Sequence, residues 1–196
     1  MGDIKSAREI AMEKINKLGE PTEEELLEWK YLPEGEKLAA RYLKNEAQLT
    51  VELSKYEKKA ARYLSKGISN ILIKNIMLPN SDITKKNNKL AIDGIKVVKN
   101  NKAQAEEILN QIKQVFNHYG EQGEKQIKQA YAALKADFGA KIEQALRQQG
   151  GTMSGVRIDV EKQPQFLEEW RKIKNQLEGQ YIQVLNELKQ ALQELD

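Results

Sequence analysis

The most regular feature of the chain is the recurrence of apolar side chains at steps of three and four residues. After Pro164 these steps run 3, 4, 4, 3, 4, 3 and 4, which is the spacing of one face of an amphipathic helix. The stripe consists of Trp170, Ile173, Leu177, Tyr181, Val184, Leu188, Ala191 and Leu195. Pro164 suits the first helical position, because an N–H there would have no partner within the helix.

An eight-residue pattern occurs twice between residues 36 and 76. Glu36–Leu43 and Glu57–Leu64 agree at seven of eight positions, at an offset of 21 residues. Because 21 residues are three heptads, both copies would present the same face to a neighbouring helix. The stripe between the copies predicts one continuous helix. Its packing residues are Tyr42, Leu49, Leu53, Tyr56 and Tyr63.

A second long helix is predicted from Ile83 to Gln148. Pro79 interrupts the preceding helix, and Ser81 or Asp82 can cap the next one. At a rise of 1.5 Å per residue, the helix would reach about 100 Å. Its apolar stripe keeps its phase across Gly120 and Gly123, which favours a bend over a turn but leaves both open.

Both long helices lie between shorter segments. Thr22 and Glu25 fit a capping box at the start of a short acidic helix, and Pro33 and Gly35 are predicted to end it. Near residues 156–160 apolar and charged residues alternate as in a short strand, with no identifiable pairing partner.

These patterns divide the chain into four segments. Residues 1–35 form short helices, 36–149 a long-helix hairpin, 150–163 a glycine-rich linker with the extended segment, and 164–196 a C-terminal helix that packs on the long helices. The fold class is therefore all-α: an elongated helical bundle or coiled coil of long amphipathic helices. The 12 glycines and 4 prolines among 196 residues agree with long helices.

Composition excludes several kinds of site. The chain has no cysteine and a single histidine, His118, which excludes disulfides, thiolate metal sites and two-histidine zinc sites. Gly150 and Gly155 have the glycine spacing of a phosphate-binding loop, but Val156 and Arg157 stand where lysine and serine or threonine are needed. We therefore expect no catalytic residue, no bound metal and no cofactor.

The middle of the chain is basic. Residues 36–116 carry 16 basic and 8 acidic side chains, a difference of +8. Such rows of cations could neutralise nucleic-acid phosphates. The candidate phosphate contacts are Lys58, Lys59, Arg62, Lys66, Lys85, Lys86 and Lys89. The tyrosines interleaved with them share the apolar stripe, so they are better explained as packing residues than as platforms for stacking bases. Nucleic-acid binding is therefore the alternative function and not the first.

The stretch from Gly2-Asp3-Ile4-Lys5-Ser6-Ala7 to Pro33-Glu34-Gly35-Glu36-Lys37-Leu38-Ala39-Ala40 resembles an uncharacterised family of all-helical bacterial proteins. The resemblance covers the first third of the chain, and the family has no assigned activity to transfer to a residue here.

The apolar stripes favour a non-enzymatic role in protein–protein interaction, as a scaffold that associates through its helices. We expect the partner to be a second copy of the chain or another helical protein, because long apolar stripes recruit other helices. The longest apolar stretch is too short to cross a bilayer, and no secretory signal follows Met1. A cytoplasmic protein without a membrane partner is expected.

Overall fold

A computed structural model describes residues 21–148 and 159–195 of the chain. Its helices are α1 (Glu23–Leu43), α2 (Leu49–Leu53), α3 (Lys58–Lys74), α4 (Asp82–Val98), α5 (Lys102–His118), α6 (Glu124–Gln148) and α7 (Pro164–Glu194). A π-helical turn, Tyr119–Gly123, joins α5 to α6, and a 3-10 turn, Val160–Lys162, precedes α7. No strand occurs in the two described ranges, and the predicted all-α class is confirmed.

The chain divides into two compact units, Met1–Leu72 and Ile73–Asp196. We call them the N-terminal unit and the C-terminal unit. The predicted strand-like segment belongs to the second. Most of it lies outside the described residues, but Val160 begins the 3-10 turn and is not extended. The carboxylate of Asp159 accepts a hydrogen bond from the backbone N–H of Glu161 at 3.2 Å, which favours this turn.

In the N-terminal unit, α1 begins at the predicted capping box. The hydroxyl of Thr22 accepts from the N–H of Glu25 at 3.2 Å, and the Glu25 carboxylate accepts from the N–H of Thr22 at 2.8 Å. The predicted end at Pro33 and Gly35 is wrong, because α1 continues to Leu43. Gly35 is buried against α3, so its small size serves packing between helices.

The predicted continuous helix through residues 36–76 is also wrong. Asn45 has a φ of 61°, the left-handed conformation that ends helices. The N–H of Asn45 donates to the carbonyl of Tyr42, and the N–H of Glu46 donates to that of Arg41, which together form a Schellman motif. Tyr42 is therefore on α1 and Leu49 on α2, and the heptad series is split among separate elements.

In the C-terminal unit, the helix predicted from Ile83 to Gln148 is divided at Lys99–Asn101. The side chain of Asn101 accepts from the N–H of Gln104 at 3.2 Å and caps α5. The break allows α4 to pack against α5, with an ion pair of 2.8 Å between Lys96 and Glu106. The prediction of one helix from Ile83 to Gln148 is therefore wrong.

At Gly120 and Gly123 the sequence favoured a bend but left a turn open, and the structure has no turn there, because the backbone stays helical from α5 through the π-helical turn into α6. Pro164 begins α7, also as predicted. α7 packs against both α5 and α6. Its buried residues are Phe166, Glu178, Leu185 and Leu192.

The buried line of α7 is displaced by one position from the predicted stripe. Leu185 is 4% exposed, whereas Val184 before it is 44% exposed. Leu177 and Leu188 are half-buried. The regular stripe thus lies at the edge of the packed face, where apolar side chains are left partly open.

Candidate interaction groove between α5 and α7

An open groove of about 640 Å³ lies between α5 and α7, with one wall residue from α6. We call it the α5–α7 groove. The side chains that line it are Gln114, Val115, His118, Gln126, Gln176, Leu177, Gln180, Tyr181 and Val184. Leu177, Tyr181 and Val184 are three of the stripe residues predicted to pack against another helix.

The lining is mostly apolar side chains and uncharged amides. Four glutamines contribute groups that can both donate and accept hydrogen bonds. Depletion of charge around apolar and aromatic contacts is typical of the centre of a protein interface. The groove can therefore receive an apolar polypeptide surface without desolvating a lysine or a carboxylate.

His118 lies on the wall of this groove. Its Nδ1 is 2.9 Å from the hydroxyl of Tyr181, and the two ring centroids are 5.7 Å apart. A general base usually requires a carboxylate to orient the imidazole, whereas here a phenol occupies that position. The contact holds two rings of the groove wall together. The expectation that the chain is not an enzyme stays a prediction.

Behind the wall, a buried hydrogen bond joins the π-helical turn to α7. The hydroxyl of Tyr119 donates to the carboxylate of Glu178 at 2.7 Å, and Tyr119 is 1% exposed. Lys174 adds a longer ion pair to the same carboxylate at 3.9 Å. Burial, together with this hydrogen bond, raises the pKa of Tyr119 well above its ordinary range. The phenol therefore stays protonated and remains a donor to Glu178.

The π-helical turn also positions the aromatic rings. Tyr119 meets Tyr181 edge to face, with centroids 5.2 Å apart. A Cβ on Gly123 would lie 2.8 Å from the Tyr119 ring and 3.3 Å from the Tyr181 ring. Because glycine has no Cβ, the turn can close over both rings. The wall at Tyr181 is thus fixed by Tyr119, Gly123 and His118.

The other predicted packing residues lie elsewhere. Leu49 is buried in the N-terminal unit, and Tyr56 contacts Tyr31 edge to face at 5.8 Å in the same unit. Tyr42, Leu53, Tyr63 and Leu188 are half-buried. Trp170 packs on Tyr131, with centroids 4.8 Å apart, in the C-terminal unit. These residues do not line the α5–α7 groove.

The candidate phosphate contacts lie on two helices, α3 and α4, and are divided between the two units. Lys59 pairs with Glu23 at 3.0 Å, and Lys66 pairs with Glu28 at 2.6 Å, both within the N-terminal unit. Lys58 and Arg62 are exposed on α3, and Lys85, Lys86 and Lys89 are exposed on α4. Glutamates thus already neutralise Lys59 and Lys66. Nucleic-acid binding stays a prediction.

Sequence reasoning missed the polar half of the groove and Glu178. Glutamine is common on exposed helix faces, so Gln114 or Gln180 carries no signal of its own. Glu178 follows Leu177 in the stripe and looks like an outward charge, although it is 9% exposed. For the π-helical turn itself, Gly120 and Gly123 were the signal in the sequence.

Two further kinds of feature are absent from residues 21–148 and 159–195. These residues contain no cluster of three or more metal-ligating side chains. None of the described helices combines the length and the apolar character that a membrane crossing requires.

Comparison with known proteins places the chain in a family. No match was found among curated proteins or among solved structures. A family model does match, over residues 50–194, whereas the resemblance to an uncharacterised family noted in the sequence rested on the first third of the chain. The matched range includes α3 to α7, all but the first residue of α2, and every residue of the α5–α7 groove. The chain therefore belongs to the family of unknown function DUF6657.

Proposed function

We propose that the protein acts by binding another polypeptide, and that the α5–α7 groove receives an apolar helix face of a second copy of the chain. The observation that carries this proposal is the partly open apolar stripe of α7 beside an uncharged groove: Leu177, Tyr181 and Val184 line the groove, and Val184 is 44% exposed.

A second copy is the favoured partner because it carries a matching surface. In a twofold-symmetric dimer the same patch is used by both subunits. The α7 stripe of one copy would lie against the groove of the other, and apolar side chains would meet apolar side chains on both sides. The fixed wall at Tyr181 favours such pairing, because a preformed surface loses little conformational entropy on binding.

Two matched variants test the groove. Val184→Gln changes a groove residue, and Ile182→Gln changes a residue of the same helix that is 43% exposed and does not line the groove. Light scattering coupled to gel filtration, over a concentration series, gives the oligomeric state. We expect the wild type to dimerise, Val184→Gln to weaken the dimer about tenfold or more, and Ile182→Gln to leave it unchanged.

A wild-type chain that stays monomeric at the highest concentration would refute self-association. Equal weakening by the two variants would place the interface outside the groove. Scaffold function and cytoplasmic location stay predictions from the sequence. Nucleic-acid binding remains the alternative, and a salt series with a short oligonucleotide would test it, since phosphate contacts weaken steeply with salt.

A further inference from the structure

A second groove, of about 580 Å³, lies between α4 and α5 on a different face of α5. We call it the α4–α5 groove. It shares no lining residue with the α5–α7 groove. Its volume is within the range of small-molecule sites, about 300–1,000 Å³. The apolar part of its wall includes Ile92, which is 6% exposed, and the half-buried Phe116.

One edge of this groove is held in place by a buried amide. Asn88 is 3% exposed and lines the groove. Its Oδ1 accepts from the N–H of Met77 at 2.9 Å, and its Nδ2 donates to the carbonyl of Met77 at 2.7 Å. This pair of hydrogen bonds fixes the segment before α4 against the helix. The groove is therefore a built feature with a defined edge.

Cations line the groove from both helices. Lys85 and Lys89 are one helical turn apart on α4, and Lys113 comes from α5. Neither Lys85 nor Lys89 has an ion-pair partner within residues 21–148 and 159–195. Asp93 and Glu121 also line the groove, so the three lysines and two acids give the lining a formal charge of +1. One negative charge in a ligand would balance the lining.

We propose that the α4–α5 groove binds a small amphiphilic anion, an apolar molecule that carries one carboxylate. The carboxylate lies at Lys85 and Lys89, and the apolar body lies against Ile92 and Phe116. A dianionic phosphate ester fits less well, because its second charge would exceed the +1 excess of the lining. This site is independent of the groove proposed for self-association.

Titration calorimetry with octanoate tests the site, with octan-1-ol as the uncharged analogue of the same chain length. We expect saturable one-to-one binding of octanoate. The affinity for octan-1-ol should be lower by about fivefold or more. Wild-type protein should also melt at a higher temperature in octanoate, because a ligand of the native state stabilises it.

Lys89→Gln and Lys86→Gln form a matched pair. Both lysines are exposed on α4, but only Lys89 lines the groove. Lys89→Gln should weaken octanoate binding about three- to tenfold, whereas Lys86→Gln should not change it. Their circular dichroism spectra should match that of the wild type.

Three results would overturn the proposal: no saturable heat and no thermal shift with octanoate, equal affinity for octanoate and octan-1-ol, or equal weakening by the two substitutions. The second result would mean that the groove binds apolar chains without recognising an anion. The third would mean that the lysines act through general surface charge.

Discussion

Gly35 and Gly67 make a reciprocal contact between α1 and α3. A Cβ on Gly35 would lie 2.2 Å from the carbonyl oxygen of Leu64, and a Cβ on Gly67 would lie 2.2 Å from that of Leu32. Each of these carbonyls belongs to the residue three positions before the opposite glycine. Because the atoms in the way are backbone atoms, they cannot rotate aside. The two helices therefore approach to a distance that only glycine permits.

Alanine at either glycine should destabilise the N-terminal unit. The added methyl group would push α1 away from α3, and overpacking of this kind costs about 1–3 kcal/mol. Gly35→Ala and Gly67→Ala should each lower the unfolding midpoint measured by circular dichroism. Gly139→Ala is the control, because a Cβ there meets nothing within 4 Å. It should raise stability by about 0.5–1 kcal/mol, since alanine favours the helix. If Gly35→Ala and Gly67→Ala both melt at the wild-type temperature, the close contact between α1 and α3 is contradicted.

Tyr119→Phe should destabilise the C-terminal unit. The substitution removes the hydroxyl that donates to the buried carboxylate of Glu178, and a buried acceptor left without its donor costs about 1–3 kcal/mol. Tyr131→Phe is the matched control, because the hydroxyl of Tyr131 donates to Glu161, which is more exposed and also pairs with Lys135. Denaturant unfolding should show a clearly larger loss for Tyr119→Phe. If both variants lose the same free energy of unfolding, burial of the Tyr119–Glu178 hydrogen bond does not increase its contribution to stability.

Alkaline titration should separate Tyr119 from the half-buried tyrosines of the chain. Burial, followed by the hydrogen bond to Glu178, raises the pKa of Tyr119 in the folded protein above the ordinary value of about 10. The protonated phenol is thus favoured by folding. This stabilisation is complete below about pH 10 and is lost as the pH rises towards the folded-state pKa. Ultraviolet titration of tyrosinate should show a late step that Tyr119→Phe removes. A late step that persists in this variant would assign it to another tyrosine.

Asn45 gives a test of the Schellman motif. Its φ of 61° is a conformation that glycine adopts at little cost and that most other residues avoid. Asn45→Gly should keep or slightly raise the free energy of unfolding, whereas Asn45→Ala should lower it by about 1 kcal/mol. Denaturant unfolding of the wild type and the two variants gives the order of their free energies of unfolding. An alanine variant as stable as the glycine variant would show that the strain is relieved elsewhere.

Local signals in the sequence predicted much of the secondary structure. The capping box at Thr22 and the first turn at Pro164 depend on interactions within a few residues, and both are confirmed. Of the two predicted cap candidates, Ser81 and Asp82, the structure has Ser81 as the cap. The breaks at Asn45 and Asn101 were missed. Each is made by a single asparagine whose role depends on φ or on capping, and the apolar stripe keeps its spacing across it.

The candidate site was predictable only in part. Leu177, Tyr181 and Val184 stood out because their spacing needs no knowledge of the fold. The pairing of Tyr119 with Glu178 joins residues 59 positions apart, and nothing local indicates it. Likewise, the buried line of α7 differs from its most regular stripe by one residue, and only packing against α5 and α6 decides between the two.

The π-helical turn at Tyr119–Gly123 bears on how other members of the family should be compared with this chain. Such a turn holds one residue more than the α-helical turn it replaces. A relative that is one residue shorter between Phe116 and Ile127 could run straight through in α-helical geometry and still place its α6 rings on α7. Single-residue gaps in an alignment of the family should therefore concentrate at this turn, and a deletion there need not signal a different fold.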